Sequence, residues 1–313
     1  MKSFNAVVIG SGPAGITAAL YLARSGCSVC MPEQLAAGGQ ILQTAALENY
    51  PGFPEGIKGY ELADLLVKHL DGFAVERPSG KVHAVSGTAG NFLVSIDGTN
   101  VRAQTIIVCS GAHHRTLGLD GEDRLLGHGL SYCALCDGNF FRGQTVAVVG
   151  GGNAAMEESL YLSKLVKEVY LIHRRDAFRG NKVYQEKLVV PDTNIRLMLS
   201  SIVTQLHGGN ALEGLTIKNL KNNEEYYLPV DGLFVYVGFA PSTDFLPPEI
   251  ERDPQGFLVT DTEMRTNIPG IFAAGDIRSK LCRQVITAAG DGATAAQAAF
   301  VFLEQLHLEQ LHA

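Results

Sequence analysis

Twice in its 313 residues the sequence passes from a short apolar stretch through closely spaced glycines into a segment of helical periodicity. The first instance is residues 4–9, then Gly10-Ser11-Gly12-Pro13-Ala14-Gly15, then residues 16–23. The second is residues 145–149, then Gly150-Gly151-Gly152-Asn153-Ala154-Ala155, then residues 156–165. A strand that feeds a helix through such a turn is the phosphate cradle of a doubly wound parallel sheet. The first glycine permits the tight turn, the second lets backbone approach a pyrophosphate, and the third position lets helix and strand pack closely. The helix N-terminus adds free N–H groups and a positive dipole end. The pattern therefore predicts an α/β chain with two nucleotide-binding units.

The two cradles lead into different segments. After the first, a strand over residues 28–31 ends at Glu33, where a carboxylate accepts from ribose hydroxyls. After the second, the strand over residues 168–172 runs into His173-Arg174-Arg175-Asp176-Ala177-Phe178-Arg179. Arginines in place of the acid suit a 2′-phosphate, because guanidinium grips phosphate with paired hydrogen bonds. The second site is built for NADPH.

The remaining chain arranges itself around these units. Residues 74–107 alternate in short runs broken by glycines, as a small antiparallel meander does. Residues 194–237 alternate again, and Pro241, Pro247 and Pro248 mark a linker. A last strand ends in Gly275-Asp276 before an alanine-rich helix over residues 285–306. That piece is too short to stand alone and is expected to complete the first unit. Residues 112–240 then form an insertion, with hinges expected at 112–117 and 238–244. Ala36-Ala37-Gly38-Gly39-Gln40 and the turn-rich 48–54 either lie flat against a ring system or form a surface loop.

A net charge of −7 points to neither nucleic acid nor an anionic membrane as partner. The apolar start resembles a leader, but Gly10-Ser11-Gly12-Pro13 breaks it, and no apolar run is expected to approach the roughly 20 residues of a membrane span. The chain reads as cytoplasmic.

Six cysteines are too sparse for a secreted disulfide scaffold. Cys133 and Cys136, in Ser131-Tyr132-Cys133-Ala134-Leu135-Cys136-Asp137-Gly138, stand where a turn can close them into a small disulfide and reopen it to a dithiol. A zinc reading needs two more ligands, and His113, His114 and His128 lie at no recognised spacing, so no metal is expected. Cys27 and Cys30 have the same spacing on an extended segment. Three strand residues span about 10 Å, beyond the roughly 7 Å that a disulfide bridges, so this pair is expected to stay reduced. Cys109 reads as core, and Cys282 has no assignment.

The order of Gly10–Gly15, Gly-Gly-Gln, Glu-Asn-Tyr-Pro-Gly, Ser-Tyr-Cys-Ala-x-Cys-Asp-Gly, Gly-Gly-Gly-x-x-Ala-x-Glu-Glu, His-Arg-Arg-Asp-x-Phe-Arg and Ala-Ala-Gly-Asp, followed by Arg-Gln-x-x-Thr-Ala-Ala-Gly, resembles the low-molecular-weight thioredoxin reductases of bacterial type. The resemblance runs from Val7 to Ala298. It implies two Rossmann-like three-layer domains, the NADPH domain (113–242) inserted into an FAD domain (1–112 and 243–313). It implies that Gly10, Ser11, Gly12, Pro13, Ala14, Gly15, Glu33, Gly39, Gln40, Asn49, Val82, Gly275, Asp276, Arg283 and Gln284 hold FAD. Gly150, Gly152, Asn153, Ala155, His173, Arg174, Arg175 and Arg179 would hold NADPH. Cys133 would attack the disulfide of thioredoxin, Cys136 would face the flavin, and Asp137 would exchange protons with the dithiol. The family is homodimeric.

Three positions depart from the family pattern: Asn153 for an aspartate, Leu135 for a threonine, and Met31-Pro32 before Glu33. Leu135 is expected to make the cysteines' surroundings more apolar. The competing reading keeps the chemistry and changes a partner, to an NADH or ferredoxin donor or a glutaredoxin-like acceptor. Arg174 and Arg175 speak against NADH.

Overall fold

The computed structural model describes residues 1–44, 47–190 and 193–312. The chain divides into two compact units: Met1–Leu42, Tyr50–His113 and Ala240–Ala313 in the first, Gln43–Asn49 and His114–Phe239 in the second.

The first unit opens with β1 (Ser3–Ile9), buried from Ala6 onward, and α1 (Pro13–Arg24). Pro13 suits the first helical position, where its missing N–H would have had no partner. Then come β2 (Val29–Cys30), α2 (Gly59–Lys68), β3 (Val75–Glu76) and three antiparallel strands, β4 (Val82–Thr88), β5 (Asn91–Ile96) and β6 (Thr99–Val108). The sheet order is β3-β2-β1-β6-β5-β4. β1 and β6 pair in parallel, so β6 joins the parallel part to the meander. β2 is shorter than its apolar residues suggest. Met31 N–H bonds to Glu76 O at 2.7 Å, and Pro32, which has no N–H, ends the ladder while its carbonyl accepts from Gly10 N at 3.1 Å. The chain leaves through β7 (Ala112–His114).

The second unit contains α3 (Glu122–Leu125), β8 (Leu130–Ser131), α4 (Ala134–Asp137), β9 (Thr145–Gly150), α5 (Asn153–Leu162), β10 (Glu168–His173), α6 (Lys182–Leu188), β11 (Ile195–Leu199), β12 (Ser201–His207), β13 (Gly214–Asn219), β14 (Glu225–Pro229) and β15 (Gly232–Tyr236). Its main sheet is parallel, in the order β11-β10-β9-β15-β8. One face, with Ala147, Ile172, Leu233 and Val235, packs against Leu215 and Ile217 of the antiparallel β12-β13-β14 sheet. The other, with Val146, Val148, Leu171 and Phe234, packs against Ala155, Met156 and Leu162 of α5. Burial on both faces explains why these strands read as unbroken apolar runs.

β16 (Phe239–Pro241) pairs with β7, so the two passages between units form a ribbon. β17 (Ile271–Ala273) then joins β6 in parallel, and α7 (Val285–His312) packs on α1. A Cβ at Gly292 would stand 2.2 Å from Ala14 O, so only glycine allows this approach. α7 corrects one expectation: over Val285–Glu309, at mean hydropathy 1.2, it is long and apolar enough to cross a membrane by length and composition. In this fold Ala295, Ala296 and Ala299 share a core with Ile16 and Ala19, which accounts for its apolar character.

Candidate active site

Cys133 and Cys136 are closed into a disulfide with Cα atoms 5.3 Å apart. β8 ends at Ser131, and Cys133 stays extended as the N-cap of the single-turn α4, which places Cys136 one turn on. Cys136 N–H donates to Cys133 Sγ at 3.2 Å, a contact that also suits a thiolate there. Two hydroxyls hold the turn. Ser131 Oγ accepts from Cys133 N at 3.0 Å and donates to Asp137 Oδ2 at 2.6 Å. Tyr236 Oη accepts from Ala134 N at 2.7 Å.

Asp137 has its other oxygen, Oδ1, buried with no partner. Burial pushes its carboxyl above the ordinary range, with the Ser131 bond opposing. A carboxyl that retains its proton more firmly, next to Cys136, is suited to protonate a sulfur. Leu135 is 42% exposed, so its departure from the family pattern adds apolar surface instead of enclosing the cysteines. Cys27 and Cys30 are free, as expected, and only Cys30 lies within β2. Burial, with Glu76 adding, pushes the Cys30 thiol up to about 12, which makes it a poor nucleophile. Cys109 is buried and its thiol is likewise pushed up by burial; Cys282 is exposed. His114 stacks on Tyr132 and tilts against Phe239, at centroid distances of 4.5 and 4.2 Å.

In the first unit the turn at Gly10–Gly15 has the steric form of a dinucleotide cradle. A Cβ at Gly10, whose φ is +99°, would meet Cys109 O at 2.6 Å, and one at Gly15 would meet Gly10 O at 1.9 Å. A Cβ at Gly12 would meet nothing within 4 Å, which leaves that backbone open to a ligand. Gly39 lies against Gly12, its ideal Cβ 3.1 Å from Gly12 Cα. Glu33 Oε2 accepts from both Ser11 N and Ser11 Oγ at 2.8 Å, and Oε1 accepts from Leu35 N at 3.0 Å, so the acid is locked at the cradle's edge. Gln40 donates to Ala112 O, and Val82 is buried at the start of β4. Asn49 falls in the second unit.

Gly275-Asp276 follows β17 next to α1, where a Cβ on Gly275 would stand 2.9 Å from Ala14 Cβ. Asp276 Oδ1 is buried and approached by Lys280 at 3.5 Å; burial raises this carboxyl, while Lys280 and Arg283 oppose the rise. Asp291 Oδ2 gathers Gly275 N at 3.1 Å and Arg278 and Lys280 at 3.0 Å each. Arg283 lies over the Phe257 ring at 4.1 Å, and Gln284 accepts from Ala288 N at the start of α7. A buried carboxyl and an open glycine backbone at Gly12 fit a ligand with a sugar chain and phosphates.

The second cradle repeats the form. A Cβ at Gly150 would meet Ala155 Cβ and Tyr236 O at 2.6 Å, while Gly152 again faces open space. Gly151 is constrained by something not foreseen: its Cβ would fall 2.0 Å from the His173 ring. His173 is buried, stacks on Phe178 at 5.5 Å, and burial lowers its pKa, so it underpins the cradle as a neutral ring. Arg179 N bonds to Gly151 O at 3.0 Å, and Asn153 Oδ1 accepts from Asn181 N at 2.7 Å, which tie the loop to the cradle. Arg174, Arg175 and Arg179 are exposed, and among the described residues none forms a salt bridge.

Sequence reading missed Ser131, Tyr236, Glu158, Arg278, Lys280 and Asp291. One signal was available for Tyr236, which ends a parallel strand on the side where such sheets place their sites.

Two cradles and a closed dithiol with an adjacent acid are the parts of a nucleotide-dependent disulfide oxidoreductase. A family model described as pyridine nucleotide-disulphide oxidoreductase matches residues 4–292. A thioredoxin reductase of Listeria monocytogenes is 41% identical over 97% of this chain and 95% of its own, and one of Streptomyces coelicolor is 43% identical over 96% and 94%. The solved thioredoxin reductase of Streptococcus pyogenes matches with a TM-score of 0.90 at 41% identity, over 97% of this chain and 99% of its own. The chain belongs to the pyridine nucleotide-disulphide oxidoreductase family, in its thioredoxin reductase branch.

Proposed function

We propose that this chain is an NADPH-dependent thioredoxin-disulfide reductase that holds FAD and acts in the cytoplasm as a homodimer. The observation that carries the reading is the closed Cys133–Cys136 disulfide with Asp137 beside it, in the same unit as a nucleotide cradle whose loop presents three exposed arginines that form no salt bridge among the described residues. The FAD domain is 1–112 with 243–313, and the NADPH domain is 113–242. The residues of the Gly10–Gly15 turn with Glu33, Gly39, Gln40, Asn49, Val82, Gly275, Asp276, Arg283 and Gln284 hold FAD. In the second, Gly150, Gly152, Asn153, Ala155, His173, Arg174, Arg175 and Arg179 hold NADPH, with the arginines at its 2′-phosphate.

The two glycine turns would hold FAD and NADPH, and the flavin would supply the two-electron relay from nicotinamide to the Cys133–Cys136 disulfide. The dithiol then does the protein chemistry. The Cys133 thiolate attacks one sulfur of thioredoxin's disulfide and expels the other as a thiolate. Asp137 takes the proton from Cys136, whose sulfur attacks Cys133 and closes the internal disulfide again. The second thioredoxin sulfur leaves, and the Asp137 proton balances the charge. Leu135 and Phe140, 42% and 50% exposed around this turn, offer apolar contact to a protein substrate.

The test is NADPH-driven reduction of thioredoxin, compared between wild type and Cys133→Ser. The reading expects turnover with NADPH and none in the variant; equal turnover with NADH would favour the reading with a different donor.

A further inference from the structure

Behind the redox turn lies a second carboxyl for which the chemistry above has no use. Glu158 stands on α5, which packs against α4 and β15, and its Oε2 is buried with no hydrogen-bond partner. Tyr236 lies within electrostatic reach of both Glu158 and Asp137. Its hydroxyl is enclosed, although the residue as a whole keeps some surface. That hydroxyl already accepts from Ala134 N, so its own proton needs an acceptor. The two charged neighbours each have one orphaned oxygen, Glu158 Oε2 and Asp137 Oδ1.

We propose that Glu158, linked to the redox turn by the Tyr236 hydroxyl, takes up a proton when the Cys133–Cys136 disulfide is reduced and releases it on reoxidation. The inference rests on the redox role given to that disulfide above. Reduction breaks the S–S bond with two electrons, which the flavin supplies. One proton reaches a cysteine sulfur by way of Asp137. The second comes from solvent to Glu158, which is only half-buried, and offsets the charge of the remaining thiolate. Tyr236 is the positioning residue, with one hydrogen bond to the turn and a proton to turn toward whichever carboxyl is ionised.

The charge surroundings agree. Burial, with Glu157 adding, pushes the Glu158 carboxyl up to about 7, where a change in nearby charge moves a proton at neutral pH. Of the groups on elements packed against α5, Asp137 and the cysteines come from α4 and Tyr236 from β15. Lys182, Glu186 and Lys187 on α6, Glu168 and His173 on β10, and Asp137 and Tyr236 do not contribute to its shift; the carboxyl in turn raises the Tyr236 hydroxyl.

The test equilibrates the flavin-loaded protein with reduced and oxidised dithiothreitol across neutral pH and counts alkylated Cys133 and Cys136 by mass. A carboxyl protonated only in the reduced form makes reduction less favourable as pH rises, by up to about tenfold in the equilibrium constant per pH unit. From about pH 7 to 8, the wild-type constant is expected to fall at least about threefold relative to Glu158→Gln, and Tyr236→Phe to lose most of that fall. Glu158→Gln following wild type at every pH overturns the proposal, and Tyr236→Phe doing so overturns the tyrosine's part in it. A reduced-minus-oxidised infrared spectrum of the wild type tests the same point without a variant: a new protonated-carboxyl band supports it and none overturns it. A pair that never equilibrates with dithiothreitol contradicts the underlying redox reading instead.

Discussion

The Ser131 hydroxyl donates to Asp137 Oδ2 at 2.6 Å while its oxygen accepts the Cys133 N–H at 3.0 Å. One small side chain thus holds both the backbone of Cys133 and a carboxyl oxygen of Asp137. Ser131→Ala should let burial push the Asp137 carboxyl higher still, so that the acid limb of the turnover profile moves to higher pH. Turnover should fall on the order of tenfold, because proton transfer keeps its group and loses its positioning. A pH profile of thioredoxin reduction measures both.

Asp137 also has a stability cost with a definite sign. Its folded-state carboxyl is raised, so the native form holds the proton more firmly than the unfolded chain. Stability from this group is present at acid pH and is lost as pH rises from the ordinary carboxylate range through the raised value. Asp137→Asn should therefore raise the melting temperature more at about pH 7 than at about pH 4. Thermal melts at both values check it.

The arginine loop predicts donor choice. Arg174→Ala and Arg175→Ala each remove charge-assisted bonds worth about 1.5–3 kcal/mol, so KM for NADPH should rise roughly ten- to a hundredfold. KM for NADH should change little. Steady-state kinetics with both nucleotides separates the outcomes.

Gly151→Ala places a methyl group where the His173 ring stands, with 2.0 Å between the ideal Cβ and the nearest ring atom. The cradle must shift, at a cost of about 1–3 kcal/mol. NADPH affinity should drop while flavin content stays at the wild-type level. Calorimetric titration and flavin absorbance read the two independently.

The glycines of both cradles were legible because their constraints are local: a turn, its own helix and the strand before it. That Cys27 and Cys30 stay free was equally legible from an extended segment, although only Cys30 lies within β2. Tyr236 was not, because it is 102 positions from Ala134 and meets it only after β8 and β15 pair as neighbours. Glu158 reads locally as one of two adjacent acids on a helix, and the burial of its Oε2 distinguishes it from the exposed Glu157. His173 stood in the motif assigned to NADPH, and its packing against Gly151 became visible only with β10 beside β9. The cluster of Asp291 with Arg278 and Lys280 needed α7 folded back onto the turn after β17.

Thiol counting tests the cysteine assignment as a whole. Denatured without reductant, the protein should titrate four thiols, those of Cys27, Cys30, Cys109 and Cys282. After reduction it should titrate all six cysteines.

The central claim is that electrons from NADPH reach thioredoxin through Cys133 and Cys136. Anaerobic addition of NADPH to the flavin-loaded protein, followed by alkylation and mass analysis, tests it most directly. The account predicts that Cys133 and Cys136 become alkylated before any thioredoxin is added and that adding oxidised thioredoxin restores their disulfide. A flavin that is bleached by NADPH while the Cys133–Cys136 disulfide stays closed would contradict it.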